Sequence, residues 1–367
     1  MKKADLQKAI ALTLVPKVGP ILAKNLIDFF GGLDGVFRAK KQLLLKLPYI
    51  NTTIANQISN KSTFARAEKE ISFINKHDIK CCYFKEETFP TRLQNYADAP
   101  ILLYYKGTNV LNHKRTIAIV GTRKITNRGR AICSSLIKEF AAYNVCVFSG
   151  LAYGVDTEAH KACVANGIPT IGVLGHGLDM IYPAENLRLA KNMIQSGGIL
   201  SEFVSQTKPE AMHFPQRNRV VAMLSDAVLV IESGASGGSM ITADFAFQYN
   251  KDVFAIPGHP EDAMSKGCNK LIKDGKAALV DCAKDIANTL LWTAENETAR
   301  QTQMALAFEL NKEETKIVNV LKSTKGVEID SIHYKTSFPH SKLSSLLLNL
   351  EFKGIIKTLP GKKYILS

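Results

Sequence analysis

FPQRNRVVAMLSDAVLVIESGASGGSMITADFA, residues Phe214–Ala246, is the stretch on which the fold of this 367-residue chain turns. Its middle, Ala227–Ile231, is a short run of Val, Leu and Ile bounded by Asp226 and Glu232. A run that short and that apolar reads as a strand buried on both faces, as in a parallel sheet. A loop of small residues follows, SGASGGS (Ser233–Ser239), and then an apolar-periodic helix, Met240–Gln248. Strand, glycine-rich turn and helix start together make an anion cradle. The glycines let the backbone approach a ligand, and free N–H groups at the helix N-terminus point at it. Arg217 and Arg219 flank Asn218 just upstream, so the stretch points to a bound phosphate. The plainer reading is a tight turn beside solvated arginines, since glycine-rich loops are common in such sheets.

Outward from this stretch the chain alternates buried strands and helices. Strands are expected at Ile117–Val120, Val145–Ser149, Thr170–Leu174, Gly198–Glu202, Val253–Ile256 and Ala277–Val280. Helices are expected at Gly129–Tyr143, Thr157–Ala165, Glu185–Ser196, Asn218–Leu224 and Gly267–Asp274. Repeated strand–helix units argue for an α/β, doubly wound parallel sheet, whose ligands sit beyond the C-terminal ends of the strands. The loops at those ends are GTRKITNRGR (Gly121–Arg130), SGLAYGVDTEAH (Ser149–His160), GHGLDMIYPAEN (Gly175–Asn186), SGASGGS and PGHPEDAMSKGCNKLI (Pro257–Ile272). Five such loops on one rim favour a phosphate- or sugar-binding crevice. The devices for a dinucleotide or ATP are missing. No GxGxxG or Walker A sequence is present, and the second strand ends in Ser149 rather than in an acid for a ribose. No cofactor is expected.

Catalytic and metal readings are weaker. Asp156 and His160 share a helix face if the helix has begun by then, while His176, Asp179, His213 and His259 lie in other rim loops, without a recognised ligand spacing. Glu232 and Asp244, beside the glycine loop, are the enzyme candidates. Seven scattered cysteines with no CxxC pair read as reduced thiols. No apolar run approaches the roughly 20 residues that span a bilayer, and MKKADLQKAI lacks a signal-peptide core. A cytoplasmic protein is expected.

The net charge is +14, which favours a polyanionic partner. Residues 1–80 hold 14 Lys and Arg against 6 Asp and Glu, residues 116–300 hold 18 against 18, and residues 301–367 hold 10 against 6. Any anion site in the middle is therefore a local cluster. The first ~65 residues carry two related segments, VPKVGPILAKNLIDFFGG (Val15–Gly32) and LLLKLPYINTTIANQI (Leu43–Ile58), that resemble helix-hairpin-helix motifs. The first keeps Gly19 and the second has Asn51 in its place, so a phosphate-binding turn and a plain packing module both remain open. At the other end, helices at Glu313–Lys322, Ile329–Lys335 and Pro339–Phe352, then a hairpin at Gly354–Leu366 with a Pro-Gly turn, make a winged helix. Its third helix has few cations for a major groove, which leaves DNA and protein partners level.

The central motifs resemble the DNA processing protein A (DprA/Smf) family. The residues that carry the likeness are VGTR (Val120–Arg123), SGLAYGVDTEAH, GHGLDMIYPAEN, LSE (Leu200–Glu202), FPQRNR (Phe214–Arg219), SGGSMITADFA (Ser236–Ala246) and Pro257–Gly258. The resemblance implies a doubly wound, mostly parallel Rossmann-like sheet with a small N-terminal helix-hairpin-helix/SAM-like domain and a C-terminal winged helix. The corresponding division is 1–80, 81–285, a linker at 286–306, and 307–367. It further implies a non-enzymatic mediator of recombination that binds single-stranded DNA, forms a homodimer through the Rossmann-like domain and loads RecA recombinase, as in natural transformation.

Carried onto this chain, the resemblance makes Arg123, Arg217 and Arg219 phosphate contacts, with Gly121, Thr122, Gly150, Gly238 and Ser239 as backbone or hydroxyl donors and Lys124 and Asn218 beside them. Many relatives carry a Lys where this chain has Ala184; either Arg188, one turn on, replaces it or affinity is lower. Aromatic stacking platforms are sparse in the rim, with Tyr153, Tyr182 and Phe214 the candidates, so binding should be led by the backbone with little sequence preference. The alternatives are a nucleotide-phosphoribohydrolase-like enzyme of related fold, whose catalytic Glu has no counterpart in SGGSMITAD, and a duplex-binding regulator acting through the winged helix.

Overall fold

The computed structural model describes residues 2–108, 110–294, 310–322, 326–353, 355–359 and 363–366. Residues 295–306 of the expected linker and the Pro360–Gly361 turn of the expected hairpin lie outside the described residues. The chain divides into two compact units, Met1–Trp292 and Thr293–Ser367.

The first unit opens with six helices, α1 (Lys3–Thr13), α2 (Pro20–Phe29), α3 (Leu33–Arg38), α4 (Lys41–Leu44), α5 (Thr52–Ser59) and α6 (Phe64–Lys76). The two hairpin-like segments share a backbone. Lys17 and Tyr49 hold corresponding places with φ of 67° each, and Gly19 and Asn51 each precede the next helix in extended conformation. Asn51 is a working substitute for glycine there, because its side chain accepts from the Ile54 N–H at 3.0 Å and caps α5. The first turn faces the sheet across a groove that also includes Phe203 and Arg219, whereas Tyr49 in the second is 88 % exposed.

The sheet strands are β1 (Lys80–Tyr83), β2 (Leu102–Gly107), β3 (Thr116–Val120), β4 (Cys146–Ser149), β5 (Thr170–Leu174), β6 (Gly198–Ser201), β7 (Ala227–Val230), β8 (Asp252–Ala255) and β9 (Ala278–Leu279). Among the described residues they form one sheet in the order β1-β2-β6-β5-β4-β3-β7-β8-β9. β3 to β9 are parallel wherever they pair, and β2 runs antiparallel to both β1 and β6. The helices between are α7 (Asn127–Phe140), α8 (Val155–Ala165), α9 (Leu187–Ser196), α10 (His213–Leu224), α11 (Gly238–Gln248), α12 (Lys266–Lys273) and α13 (Ala283–Thr289).

Both faces of the sheet are covered, and this explains the unbroken apolar runs. Successive side chains alternate between faces, so Ile117, Ile119 and Leu229 meet α7 and α8 on one side while Ala118, Val120 and Val228 join a core with α10 and α11 on the other. The same alternation in β2 sends Leu102 and Tyr104 into the helical module and Leu103 and Tyr105 into the sheet core. A buried carboxylate with a half-buried arginine closes this junction. The Glu70 carboxylate takes Arg66 at 2.9 Å, the Ser205 N–H at 2.9 Å and the Ser205 hydroxyl at 2.5 Å. With its lone pairs met in this way, the charge is tolerable inside.

One expectation needs correction. The helix expected at Asn218–Leu224 begins at His213, five residues earlier. Pro215 hides this start from a pattern reading. In the first turn, however, its missing N–H costs nothing, because the first four N–H groups have no intrahelical partner.

The second unit is a winged helix: α14 (Lys312–Lys322), β10 (Val327–Glu328), α15 (Ile329–Thr336), α16 (His340–Phe352), β11 (Ile356–Leu359) and β12 (Lys363–Leu366), with strand order β10-β12-β11. Ile317, Ile332, Leu343, Leu347 and Leu350 fill its core. At the start of α16, Lys342 is paired with Glu313 of α14 at 2.5 Å, and further along the helix Leu348 and Phe352 are exposed. No helix among the described residues is long and apolar enough to cross a membrane.

His160 on α8 supplies a pH test of the fold. It is fully buried with Nδ1 2.7 Å from the Thr170 hydroxyl, and burial holds its pKa down at about 3 against 6.5. Between those values the unfolded chain carries a proton at this ring that the folded chain refuses, so stability rises with pH and is lost on acidification. The slope is about 1.4 kcal/mol per pH unit for the one proton. Urea unfolding of wild type and His160→Asn should therefore give parallel stabilities above pH 6.5 and a flatter acid limb for the variant; identical acid limbs would contradict the assignment.

Candidate functional site

From β3 the chain steps outward through β4 and β5 to β6, then returns and steps the other way through β7, β8 and β9. Between β3 and β7 the winding reverses, and the loops that follow these two strands part. A crevice of about 420 Å³ opens there. Gly121, Thr122 and Arg123 form one wall and Ser233–Ser239 the other, with Gly150, Arg217 and Asn218 beneath.

Each wall has a local cause. In the β3 loop, the Thr122 N–H donates to the Glu232 carbonyl at 2.7 Å, and the Thr122 carbonyl accepts from the Val155 N–H at 3.1 Å. Gly121 fits between them, since a Cβ there would sit 2.7 Å from the Glu232 carbonyl oxygen. In the β7 loop, Gly237 at φ 147° delivers the chain to α11, and no side chain caps that helix. The first N–H groups of α11 therefore face the crevice unpaired by the helix, at the positive end of its dipole. Ser239 is buried with its hydroxyl 2.9 Å from that of Ser233, which fixes the bend.

The floor is a buried guanidinium. Arg217 is 5 % exposed; it donates to the carbonyls of Gly150 and of Val173, the latter at 2.5 Å, and its Nε donates to the Asn218 amide oxygen at 3.0 Å. Asn218 in turn donates to the Gly238 carbonyl at 3.1 Å, so floor and cradle are one network. Burial works against the Arg217 charge and Asp156 offsets it. Burial likewise pushes the Asp156 carboxyl up from its ordinary value, against the pull of Arg217 and of the Ala152 and Gly150 N–H groups at 3.3 and 3.2 Å. Above the floor, Arg123 is exposed, with its guanidinium carbon 5.4 Å from the Phe214 ring centre, while that of Arg217 lies 6.0 Å from the same ring. Beyond Phe214 a slot of about 80 Å³ continues between Tyr153, Tyr182 and His176. His176 is 1 % exposed, and burial holds its pKa below the usual value.

The structure brings Gly121, Thr122, Arg123, Gly150, Arg217, Asn218, Gly238 and Ser239 together around one cavity. Three expected contacts lie elsewhere. Arg219 is two residues from Arg217 on a helix and so points about 200° away. It pairs with Glu202 and donates to the Asp98 carbonyl at 2.5 Å, toward the helical module. Arg188 is exposed on α9 and does not line the crevice. Lys124 faces the neighbouring groove.

The enzyme candidates are engaged in structural work. Glu232 holds the Thr126 N–H at 2.9 Å and hydroxyl at 2.5 Å beside the start of α7, and a Cβ on Gly129 would meet its carboxylate at 2.5 Å. Asp244 is paired with Lys276 at 2.8 Å. His160 is committed to Thr170, Asp179 to the Gln206 N–H at 2.8 Å and His213 to the Lys208 carbonyl at 3.0 Å, so these residues do not converge on a metal. The residues missed by sequence reasoning were Ser233 and the floor role of Asp156. A serine at a strand end and an acid in a first helical turn were visible, yet no pattern says that the Ser233 hydroxyl turns back onto Ser239 or that Asp156 faces Arg217 from a distant part of the chain.

Glu232→Ala should strand the Thr126 N–H and hydroxyl and cost about 1–3 kcal/mol in urea unfolding. A change below about 0.5 kcal/mol would mean that Glu232 does not anchor the wall.

Residues 80–291 match the family model described as DNA recombination-mediator protein A, and residues 301–362 match that of the DprA winged helix domain. The DNA processing protein DprA of Bacillus subtilis is 32 % identical over 292 residues, which cover 77 % of this chain and 96 % of that one. The X-ray structure of DNA processing protein A from Streptococcus pneumoniae has a TM-score of 0.65 at 30 % identity, covering 78 % of this chain and 98 % of that one. That of Helicobacter pylori, described for its unique single-stranded DNA binding mode, has a TM-score of 0.53 at 32 % identity, covering 58 % and 95 %.

Proposed function

This chain belongs to the DNA recombination-mediator protein A family, and from that premise we propose that its crevice holds single-stranded DNA and that the protein delivers the strand to RecA recombinase, as in natural transformation. The observation that carries the reading is the Arg123–Phe214 pair above the glycine cradle. A phosphate placed on the α11 N-terminus lies within a positive field from the dipole, from Arg123 and from the buried Arg217, while the Phe214 face beside it offers a base a stacking platform. Phosphate plus an unpaired base is the signature of a single strand, and a crevice of about 420 Å³ has no room for a duplex.

The remaining proposals follow from the same reading. The protein acts in the cytoplasm and contributes binding rather than a chemical step. It works as a homodimer through the Rossmann-like domain, for which we take the β9 edge, where Leu279 is 55 % exposed. Within the first unit, residues 1–80 and 81–285 act as separate domains, joined to the winged helix of 307–367 through 286–306, of which 286–289 complete α13 and the remainder serves as the linker.

Fluorescence anisotropy with labelled oligo-dT tests the binding. Arg123→Ala should weaken it by about tenfold or more, and Arg188→Ala should leave it unchanged. On an oligonucleotide short enough to stay with the crevice, wild type should show a salt slope of about −2 to −3, as expected when three or four phosphates are neutralised on a single strand. Tighter binding to duplex than to the single strand would sink the reading. Delivery is tested separately by the rate of RecA ATP hydrolysis on single strands, which the protein should raise.

A further inference from the structure

We propose that the strand leaves the crevice along a basic groove on the far side of Arg123, where Lys124, Arg130 and Lys161 carry its phosphates. The inference rests on the single-strand reading and adds a path to it. Three cavities meet at one side chain: Arg123 lines the crevice, the aromatic slot and a groove of about 550 Å³, and no other residue lines all three. Tyr153, 44 % exposed, turns the corner, since it lines both the slot and the groove. A strand held by Arg123 thus enters the groove without crossing open surface.

The groove is built for a polyanion. Lys124 and Arg130 are exposed, and no ion pair within the described residues engages either. Lys161 is exposed and paired with Glu158 at 3.2 Å, an exchangeable partner at the surface. The groove's other carboxylate, Glu185, accepts from the Tyr153 hydroxyl at 2.9 Å. Four cations with Arg123 included face two carboxylates that are each already engaged. Other basic surfaces lack continuity. The α12 groove, with Lys266, Lys270 and Lys273, shares no residue with the crevice, and neither does the groove beside the first hairpin.

The test uses full-length protein and labelled oligo-dT of two lengths, about four and about twenty nucleotides, the first short enough to stay with the crevice and the second long enough to run on into the groove. Lys124→Ala/Arg130→Ala/Lys161→Ala should bind the short oligonucleotide as wild type does. It should bind the long one about tenfold more weakly, with a salt slope shallower by about two units. The same charge loss at Lys138, Lys191 and Lys284, which are exposed and lie outside these cavities, should change neither. An unchanged long-oligonucleotide affinity in the first variant, or an equal loss in both variants, overturns the path and leaves the crevice reading intact. Failure of wild type to bind either length overturns both.

Discussion

A single buried cation, Arg217, holds the site in shape. Its guanidinium bonds the ends of β4 and β5 through the Gly150 and Val173 carbonyls and joins α10 to the α11 cradle through Asn218. A planar group with its donors in a fixed fork meets these three acceptors in set directions, where an ammonium is a compact point charge on a flexible stem. Burying it is tolerable only because carbonyls and the nearby Asp156 answer its charge. Gly150 is forced by the same contact, since a Cβ there would lie 2.6 Å or less from guanidinium atoms. The floor is thus rigid and positive before any ligand arrives, and this preorganisation lowers the cost of binding.

The basic N-terminal module shows how a motif can be repeated and then divided in use. Its two hairpins have the same backbone, including the left-handed residue in each turn, yet one faces the sheet across a groove and the other faces solvent with Tyr49. The winged helix makes a comparable choice. Its third helix spends Lys342 on Glu313 and presents Leu348 and Phe352, a face that suits an apolar partner better than phosphates.

The sheet was legible because a parallel strand buried on both faces writes itself as an uninterrupted apolar run, and β3 to β8 each do so. The cradle was legible only in company: a glycine-rich turn alone is common in such sheets, and it was the arginines just upstream that pointed to an anion. What the chain did not disclose is direction. Arg217 and Arg219 look equivalent in the string, and only a helix that begins at His213, ahead of Pro215, sends one to the crevice and the other to Glu202. Glu232 looked reactive beside its glycines, but its partner Thr126 lies 106 residues away in sequence, beyond any local pattern. The short strand β10 was missed because two residues carry no periodicity.

The crevice is assembled from segments that are neighbours only in space. Its walls follow β3 and β7, more than a hundred residues apart, and its floor comes from α10 and the end of β4. No contiguous fragment contains it, and a chain with either half of the sheet unformed has no partial version. Occupancy and folding are therefore coupled: a ligand that closes the two walls stabilises both halves of the sheet by mass action, in proportion to the logarithm of its concentration over its dissociation constant. A bound ligand would act as a strut across the line where the winding reverses, and the molecules that carry it would be the more stable ones.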